Sequence, residues 1–482
     1  MSGVRTVLLS LVLVGALAGC TILGPSYEAQ DPVAIGDVAV DAGASYDAGA
    51  PVADWWRLFD DAQLTRLVEE GLAANRTLDA AYAAVNAARA QFGLARLDRI
   101  PFDTVGASYL ASRQGSAVFS AGIGAEAGDP FPTTDISDVN VSAQWEVDLF
   151  GRVTRTINIA EASLEETQAD LLDLQALIAA DIANAYVTLR GLEAQRAVAR
   201  ENVANQEDTV RLTEATRDAG RGTDLDVERA RAQLATTRSL IPSLSASIVE
   251  TRAGLAVLTG RTPAELVDAL GEAGAPLPGV AGSIAIGDPA ALLRRRPDVA
   301  ARERALRAAT ERIGLNMAEA FPRVDLTGRV GFQAVEFENQ FGPNALNFAY
   351  GPSISWSLTN LLRARQTVRA ARQSALGAFA VYEETVLAAL AEAETAFAAQ
   401  ALAQARLVDL REAKRASAEA SRLARLRYEN GATDFLIVLD AERRELEAAE
   451  GLAAAETAAA QAQVAVFRAL RAGPTDPDVS AE

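Results

Sequence analysis

RDAGRGTDLDVERA (Arg217–Ala230) and RYENGATDFLIVLDA (Arg427–Ala441) read as two versions of one turn, with Gly220 and Gly431 standing 211 residues apart (431 − 220). Glycine tolerates φ > 0, the conformation that ends one helix and lets the chain start back along another. The same offset relates Trp145 to Trp356 and Arg152 to Arg363. Two alanine-rich helices can resemble each other by chance, but Trp, Arg and Gly aligned at one offset mark an internal duplication. Each copy reads as one helix up, a glycine turn, and one helix back.

Outward from the turns, proline falls silent. None occurs between Pro132 and Pro242, or between Pro352 and Pro474, and each tract holds only four glycines. Ala, Leu, Arg, Glu and Gln fill the rest, and all are strong helix formers. Leu164, Leu171, Ile178, Ala185 and Leu192 recur at sevens, as do Leu234, Ile241, Ile248 and Leu255. Such a repeat imposes a left-handed supercoil. A continuous helix from Gly151 to Gly220 is about 100 Å long at 1.5 Å per residue.

Before each helical pair lie short alternating segments. Val139, Val141, Ala143, Trp145 and Val147 alternate with Asn140, Ser142, Gln144, Glu146 and Asp148. Phe348 to Leu358, Val324 to Phe332 and, more weakly, Val105 to Ala111 repeat the pattern. One apolar and one polar face over about ten residues suits a lipid-facing barrel strand. Four strands of a soluble two-layer domain show the same alternation. If the strands span a membrane, four are too few to close a barrel, which needs about eight. Several chains must then share one.

The flanks are connective. Residues 56–100 read as two short helices broken near Asn75 and stopped by Pro101. A proline-rich stretch, 261–296, bridges the copies, and Pro297 opens a helix running to about Ala320 before Pro322. The expected organisation is a signal segment 1–19, an extended segment 20–55, a first repeat 56–260, the linker 261–296, a second repeat 297–473 and a tail 474–482.

At the N-terminus, Arg5, an apolar run from Val7 to Leu17 and then small residues read as a secretion signal, too short for a transmembrane helix. Leu17-Ala18-Gly19-Cys20 resembles the bacterial lipobox, in which Cys20 is acylated and becomes the mature N-terminus; an ordinary signal peptide with an incidental Cys is the plainer reading. The chain's single Cys falls where that signal needs it. Thr21 follows, not the Asp of the familiar inner-membrane retention rule, so the outer membrane is the expected destination.

Composition narrows the chemistry. The 482 residues hold no His, one Cys, one Lys (Lys414), 102 alanines and only 6% aromatics. No His removes the commonest general base and metal ligand, and one Cys removes disulfides and thiolate cages. A net charge of −19 opposes nucleic-acid binding, which needs a basic face. No cofactor or metal site is expected, and no paired carboxylates stand in a loop-rich pocket context for hydrolysis.

The chain resembles the outer membrane factors, the TolC-like channel-tunnels, and especially the lipidated NodT/OprM-like branch serving resistance-nodulation-division efflux. Gly24-Pro25-Ser26-Tyr27, Trp56-Arg57-Leu58-Phe59-Asp60-Asp61, Trp145 through Arg152, Ala219 through Thr223, Leu293 through Val299, Ala320-Phe321-Pro322-Arg323 and the Tyr428 to Gly431 turn carry it, in order over nearly the whole mature chain. The resemblance implies a mainly α homotrimer: four strands per protomer in a shared twelve-stranded barrel, above a long periplasmic helical barrel. Its implied partners are outer-membrane lipid, a periplasmic adaptor and an inner-membrane resistance-nodulation-division pump.

The same resemblance assigns roles. Gly220, Arg221, Gly222 and Thr223, with Gly431, Ala432 and Thr433, map to tips that dock the adaptor; on the plainer reading they only make turns. Asp440 maps to an acidic ring narrowing the pore and Ile437 replaces a second such ring, while Arg443, one turn on, is placed to pair with Asp440. A solvated helix face accounts equally for Asp440. Tyr428 and Asp226 match a hydrogen-bonded latch. Gln144, Glu146 and Asp148 are expected to line the lumen, and the acidic excess predicts a cation-preferring pore. Type I protein secretion uses the same architecture, and a non-conducting coiled-coil lipoprotein is the alternative outside channels.

Overall fold

The computed structural model describes residues 22–28, 46–47, 53–113, 133–270, 276–280, 284–285, 296–335 and 337–473. The signal segment, Cys20, Leu293 to Arg295 and the tail lie outside them. The described strands are β1 (Tyr46–Asp47), β2 (Phe102–Arg113), β3 (Thr133–Glu146), β4 (Ile284–Ala285), β5 (Arg323–Ala334) and β6 (Leu346–Ser355). The α-helices are α1 (Ala62–Ala74), α2 (Arg76–Leu97), α3 (Arg152–Asp218), α4 (Asp224–Leu258), α5 (Pro263–Leu270), α6 (Pro297–Ala318), α7 (Leu358–Glu429) and α8 (Phe435–Ala469). Helix, strand, strand, very long helix and returning helix thus occur twice. The break at Asn75 and the helix opened by Pro297 fall where expected. Two features of the bridge were not expected: α5, and the two-residue parallel pairing of β4 with β1.

Contacts divide the chain into two units that cut across the repeats: Met1–Ala29, Asn86–Glu165 and Arg304–Ala380 form one, and Gln30–Val85, Glu166–Glu303 and Val381–Glu482 the other.

The first unit holds an antiparallel sheet in the order β2-β3-β5-β6. Its register sets Val105, Val141, Val330 and Phe348 in one row, and Trp145 opposite Leu326 on the same face. The other face carries Thr104, Ser142 and Arg329 in one row, with Glu146 opposite Asp325. Period-two alternation has become two chemically distinct faces. Below the strands, Arg155 is 4% exposed, pairs with Glu311 at 2.7 Å, and donates to the carbonyl oxygens of Leu23 (2.9 Å) and Gly24 (3.3 Å). Gly24 has φ +91, and a Cβ there would lie 2.6 Å from Gly314 Cα. The N-terminal strap is held close enough that only glycine fits.

The second unit holds the long helices' distal parts and an aromatic core. Trp55 stacks on Phe467 at 4.7 Å and donates its Nε1 to Ala472 O at 3.0 Å. Asp61 caps α1, accepting from Gln63 N and Leu64 N at 2.8 Å, and also accepts from the Tyr186 hydroxyl. Burial pushes that phenol's pKa up to about 12. Arg296, of the RRPD stretch, donates to Asp298 and Glu392 and to Ala469 O, while Arg471 bonds Asp173 and Glu392. Burial disfavours the Asp298 carboxylate, but the paired bonds from Arg296 hold its pKa below the usual value. The motif ties the start of α6 to the end of α8 and to the middle of α7.

Candidate functional site: helical tips and polar sheet face

Both tips use one device. Gly220 has φ +71 and Gly431 φ +68, with open space where a Cβ would stand. Conformation, not crowding, demands glycine there. Gly220 N bonds Arg217 O and Arg221 N bonds Thr216 O; Gly431 N bonds Tyr428 O and Ala432 N bonds Arg427 O. These are the paired bonds of a Schellman motif, repeated at the duplication offset. Arg221, Thr223 and Ala432 are exposed; Gly222 and Thr433 are half-buried. The helices after the turns start differently. Thr223 and Asp226 form a reciprocal capping box, whereas Asp434 makes no side-chain cap bond and Ile437 stands where Asp226 stands.

The expected Tyr428–Asp226 hydrogen bond is not made. Asp226 Oδ2 is occupied by the Thr223 hydroxyl (2.7 Å) and backbone N (3.3 Å). Tyr428, 8% exposed, packs on Phe435 with ring centroids 5.6 Å apart, within a cluster of Ala230, Ala424 and Val438. Its hydroxyl has no hydrogen-bond partner among the described residues. Burial, reinforced by the Asp226 charge, raises its pKa. Tyr428→Phe is therefore expected to leave single-channel conductance within about twofold of wild type, because no bond is lost. A large rise in planar bilayers would restore the phenol latch.

A buried tie that crosses from one hairpin to the other is made by Glu442, on α8. Its Oε1 accepts from Arg425 Nη2 of α7 at 2.7 Å and from Thr209 Oγ1 of α3 at 2.5 Å. Glu442 is 4% exposed. Gln206 nearby in sequence is buried with both amide atoms unpartnered, as is Arg425 Nε. Nothing in the sequence singles out Arg425 or Glu442 from dozens of other Arg and Glu residues.

Toward α8's exposed side, Ile437 is 56% exposed. The expected Arg443–Asp440 brace is long, 3.8 Å, and Arg443 leans equally to Glu447 at 3.6 Å. The nearer partner of Asp440 is Arg444, at 2.9 Å four residues on. One helical turn admits both i+3 and i+4, and only side-chain geometry chooses.

On the sheet, Gln144 and Glu146, the residues expected to line a lumen, lie on the polar face. Glu146 holds Arg152 through two bonds, 2.6 and 2.5 Å. Asp148 departs from expectation. Strand β3 ends at Glu146, and the Asp148 carboxylate accepts from Val153 N and Thr154 N, capping α3. Among the described residues no His, Cys, Asp and Glu cluster could hold a metal.

Residues 67–261 and 289–471 match the family described as "Outer membrane efflux protein". The chain is 30% identical to "Outer membrane protein OprJ" of Pseudomonas aeruginosa, over 96% of this chain and 95% of that protein. It is 29% identical to "Nodulation protein T" of Rhizobium leguminosarum bv. viciae, over 91% and 88%. The solved outer-membrane channel OprN is 38% identical and superposes with a TM-score of 0.88, covering 94% of this chain and 99% of that one.

Proposed function

Since the chain belongs to the outer membrane efflux protein family, we propose that it is the outer-membrane channel of a tripartite efflux system, a passive conduit for small molecules. One observation carries the physical side of this. The sheet exposes an entire apolar face: Val105 is 74% exposed, Phe348 70%, Tyr350 83% and Ile354 70%. A solvated face of that chemistry is unfavourable, whereas lipid covers it without loss. Among the described residues strands β2 and β6 are both open edges, and an open edge is not tolerated in a bilayer. Three protomers closing twelve strands satisfy every edge. Exposed Leu358, Leu361, Leu362 and Leu376 along α7 add apolar surface for neighbouring helices.

The trimer spans the outer membrane and extends into the periplasm, anchored additionally by acyl chains on Cys20. The two tips dock a periplasmic adaptor, and an inner-membrane pump of the resistance-nodulation-division class supplies substrate. No step is catalysed on that substrate. Relatives bear names of antibiotic and toluene efflux, "Antibiotic efflux pump outer membrane protein ArpC" and "Toluene efflux pump outer membrane protein TtgC", which supports small amphiphilic cargo. Closure at the tips rests on the Arg425–Glu442–Thr209 tie, with Ile437 and Asp440 narrowing the entrance. The unpartnered Gln206 and Tyr428 groups reduce the net cost of opening, since water entering the seam would satisfy them.

The test is deletion of the gene with complementation, read as drug accumulation, alongside bilayer conductance of the purified trimer. Loss of efflux with a cation-selective pore is expected. A protein that forms trimers but never conducts, even with the tips removed, would be a scaffold and not a channel.

A further inference from the structure

The duplication extends to the place where the strands give way to the long helices, and there the two modules differ in charge. Trp145 Nε1 donates to Arg99 O and Trp356 Nε1 donates to Ala320 O, both at 3.1 Å. The donors are 211 apart (356 − 145) and the acceptors 221 (320 − 99), so each residue here has a counterpart in the other module. Glu146, Asp148 and Arg152 correspond to Ser357, Thr359 and Arg363. Asp98 and Phe102 correspond to Glu319 and Arg323.

In the first module the guanidinium is matched. Arg152 donates to both oxygens of Glu146, and Asp98 and Asp148 stand close enough to act on the same charge. In the second module two of those carboxylates have become hydroxyls, Ser357 and Thr359, whose oxygens bond each other at 2.8 Å. An arginine has also replaced a phenyl ring, at Arg323. Among the described residues Arg323 and Arg363 make no ion pair, and Glu319, which keeps the charge of Asp98, pairs with neither. Three carboxylates around one guanidinium have become one carboxylate and two guanidiniums.

These changes converge on one cleft. A cavity of about 560 Å³ is lined by Arg323, Arg363, Ser355 and Ser357 together with Phe321 and Trp356, with Glu319 at its margin. That volume suits a small organic molecule. Arg323 stands opposite Ser355 in the β5–β6 register, on the polar face that also carries Asp325, Thr327 and Arg329. A lone unpaired arginine at a surface is simply hydrated. Two in one cleft with aromatic neighbours, at positions where the sister module carries carboxylates and an apolar ring, form a complement to an anion with an apolar body.

We propose that this cleft binds the anionic group of an amphiphilic small molecule passing along the conduit. A carboxylate, sulfonate or phosphate is held by Arg323 and Arg363, and the apolar body lies against Phe321 and Trp356. The inference rests on the channel reading above and names a class of cargo for it. Threefold symmetry sets three such clefts at one level of the polar wall. In a conduit with an acidic excess, they offset the repulsion that an anion meets on entry. Both arginines are exposed, so binding stays weak enough for release. Inorganic cations still carry most of the current, because the acidic field acts along the whole wall and the clefts act locally.

The test titrates naphthalene-1-sulfonate and its uncharged sulfonamide onto the purified full-length trimer in neutral detergent. The sulfonate is expected to bind about tenfold tighter than the sulfonamide, the margin that charged hydrogen-bond partners give. Ser357→Glu restores the carboxylate that the first module keeps, which should occupy Arg363 and weaken sulfonate binding about tenfold. Arg323→Ala combined with Arg363→Ala, at exposed positions where little packing is lost, should do the same. Equal affinity for the two probes, or wild-type sulfonate affinity in either variant, overturns the site. Phosphatidylglycerol added to the same samples separates the two sources of an oxyanion. If native mass spectrometry finds it bound and the sulfonate does not displace it, the occupant is a lipid headgroup and the cargo assignment falls. A trimer that binds the sulfonate but never conducts in planar bilayers overturns the conduit reading and leaves the anion site standing.

Discussion

Glu442→Ala is expected to open the channel in the absence of a pump. Conductance in planar bilayers should rise, and cells should become sensitive to vancomycin, which is too large for the closed state. Among the described residues the carboxylate is the one group bonded to both Arg425 and Thr209, on helices that belong to different hairpins. Removing one partner of a buried pair costs about 3–5 kcal/mol, because the other charge stays buried and unmatched. The Arg425 side chain is 29% exposed and hydrates partly, so the lower end applies. If about 3 kcal/mol of that is specific to the closed tip, the open fraction relative to closed rises about a hundredfold. Glu442→Gln keeps an acceptor for Thr209 and should fall between. Arg425→Ala added to Glu442→Ala should contribute little more, since the two act as one unit. Intact trimers of Glu442→Ala with wild-type conductance would show that the tie braces the helices without closing them.

Glu311→Ala is the second large effect, expected in stability and not in gating. Arg155 and Glu311 side chains are 4% and 6% exposed, and Asn158 Nδ2 also donates to Glu311 at 3.2 Å. The substitution leaves a guanidinium buried without its counter-charge, again about 3–5 kcal/mol. That guanidinium also holds Leu23 O and Gly24 O. Its reorientation should free the strap, leaving a 3.4 Å bond from Leu23 N to Phe150 O. The expected readouts are a lower unfolding temperature and faster protease cleavage within residues 22–28. Glu311→Gln, which retains hydrogen bonding without the charge, should lose less. Equal protease resistance in wild type and Glu311→Ala would mean that the strap is held by Gly24 packing alone.

Much of this molecule was legible along the chain. Proline silence announced α3 and α7, heptads announced α3 and α4, and period-two alternation announced four strands, because each pattern is a local property of backbone geometry. Gly220 and Gly431 were legible for the same reason: a positive φ is a demand on one residue. Side-chain pairing was not. Asp440 chose Arg444 over Arg443 on rotamer geometry, and Asp226 turned to its own cap before any phenol could reach it. Asp148 continues the alternation on paper, yet the strand stops two residues earlier and the carboxylate serves α3. Local hydrogen bonds formed at low entropic cost win over distant ones.

The sequence by itself determined the modules, their duplication, the turn glycines and the two-faced strands, since propensity and periodicity act within a few residues. Tertiary structure alone decided which groups meet: Glu442 with Arg425 within the second hairpin and with Thr209 of the first, Glu311 with Arg155 beneath the sheet, and Arg365, Arg369 and Arg372 with no carboxylate among the described residues. An ion pair depends on positions separated by up to hundreds of residues, and with 45 basic and 64 acidic groups available, only the folded chain selects among them.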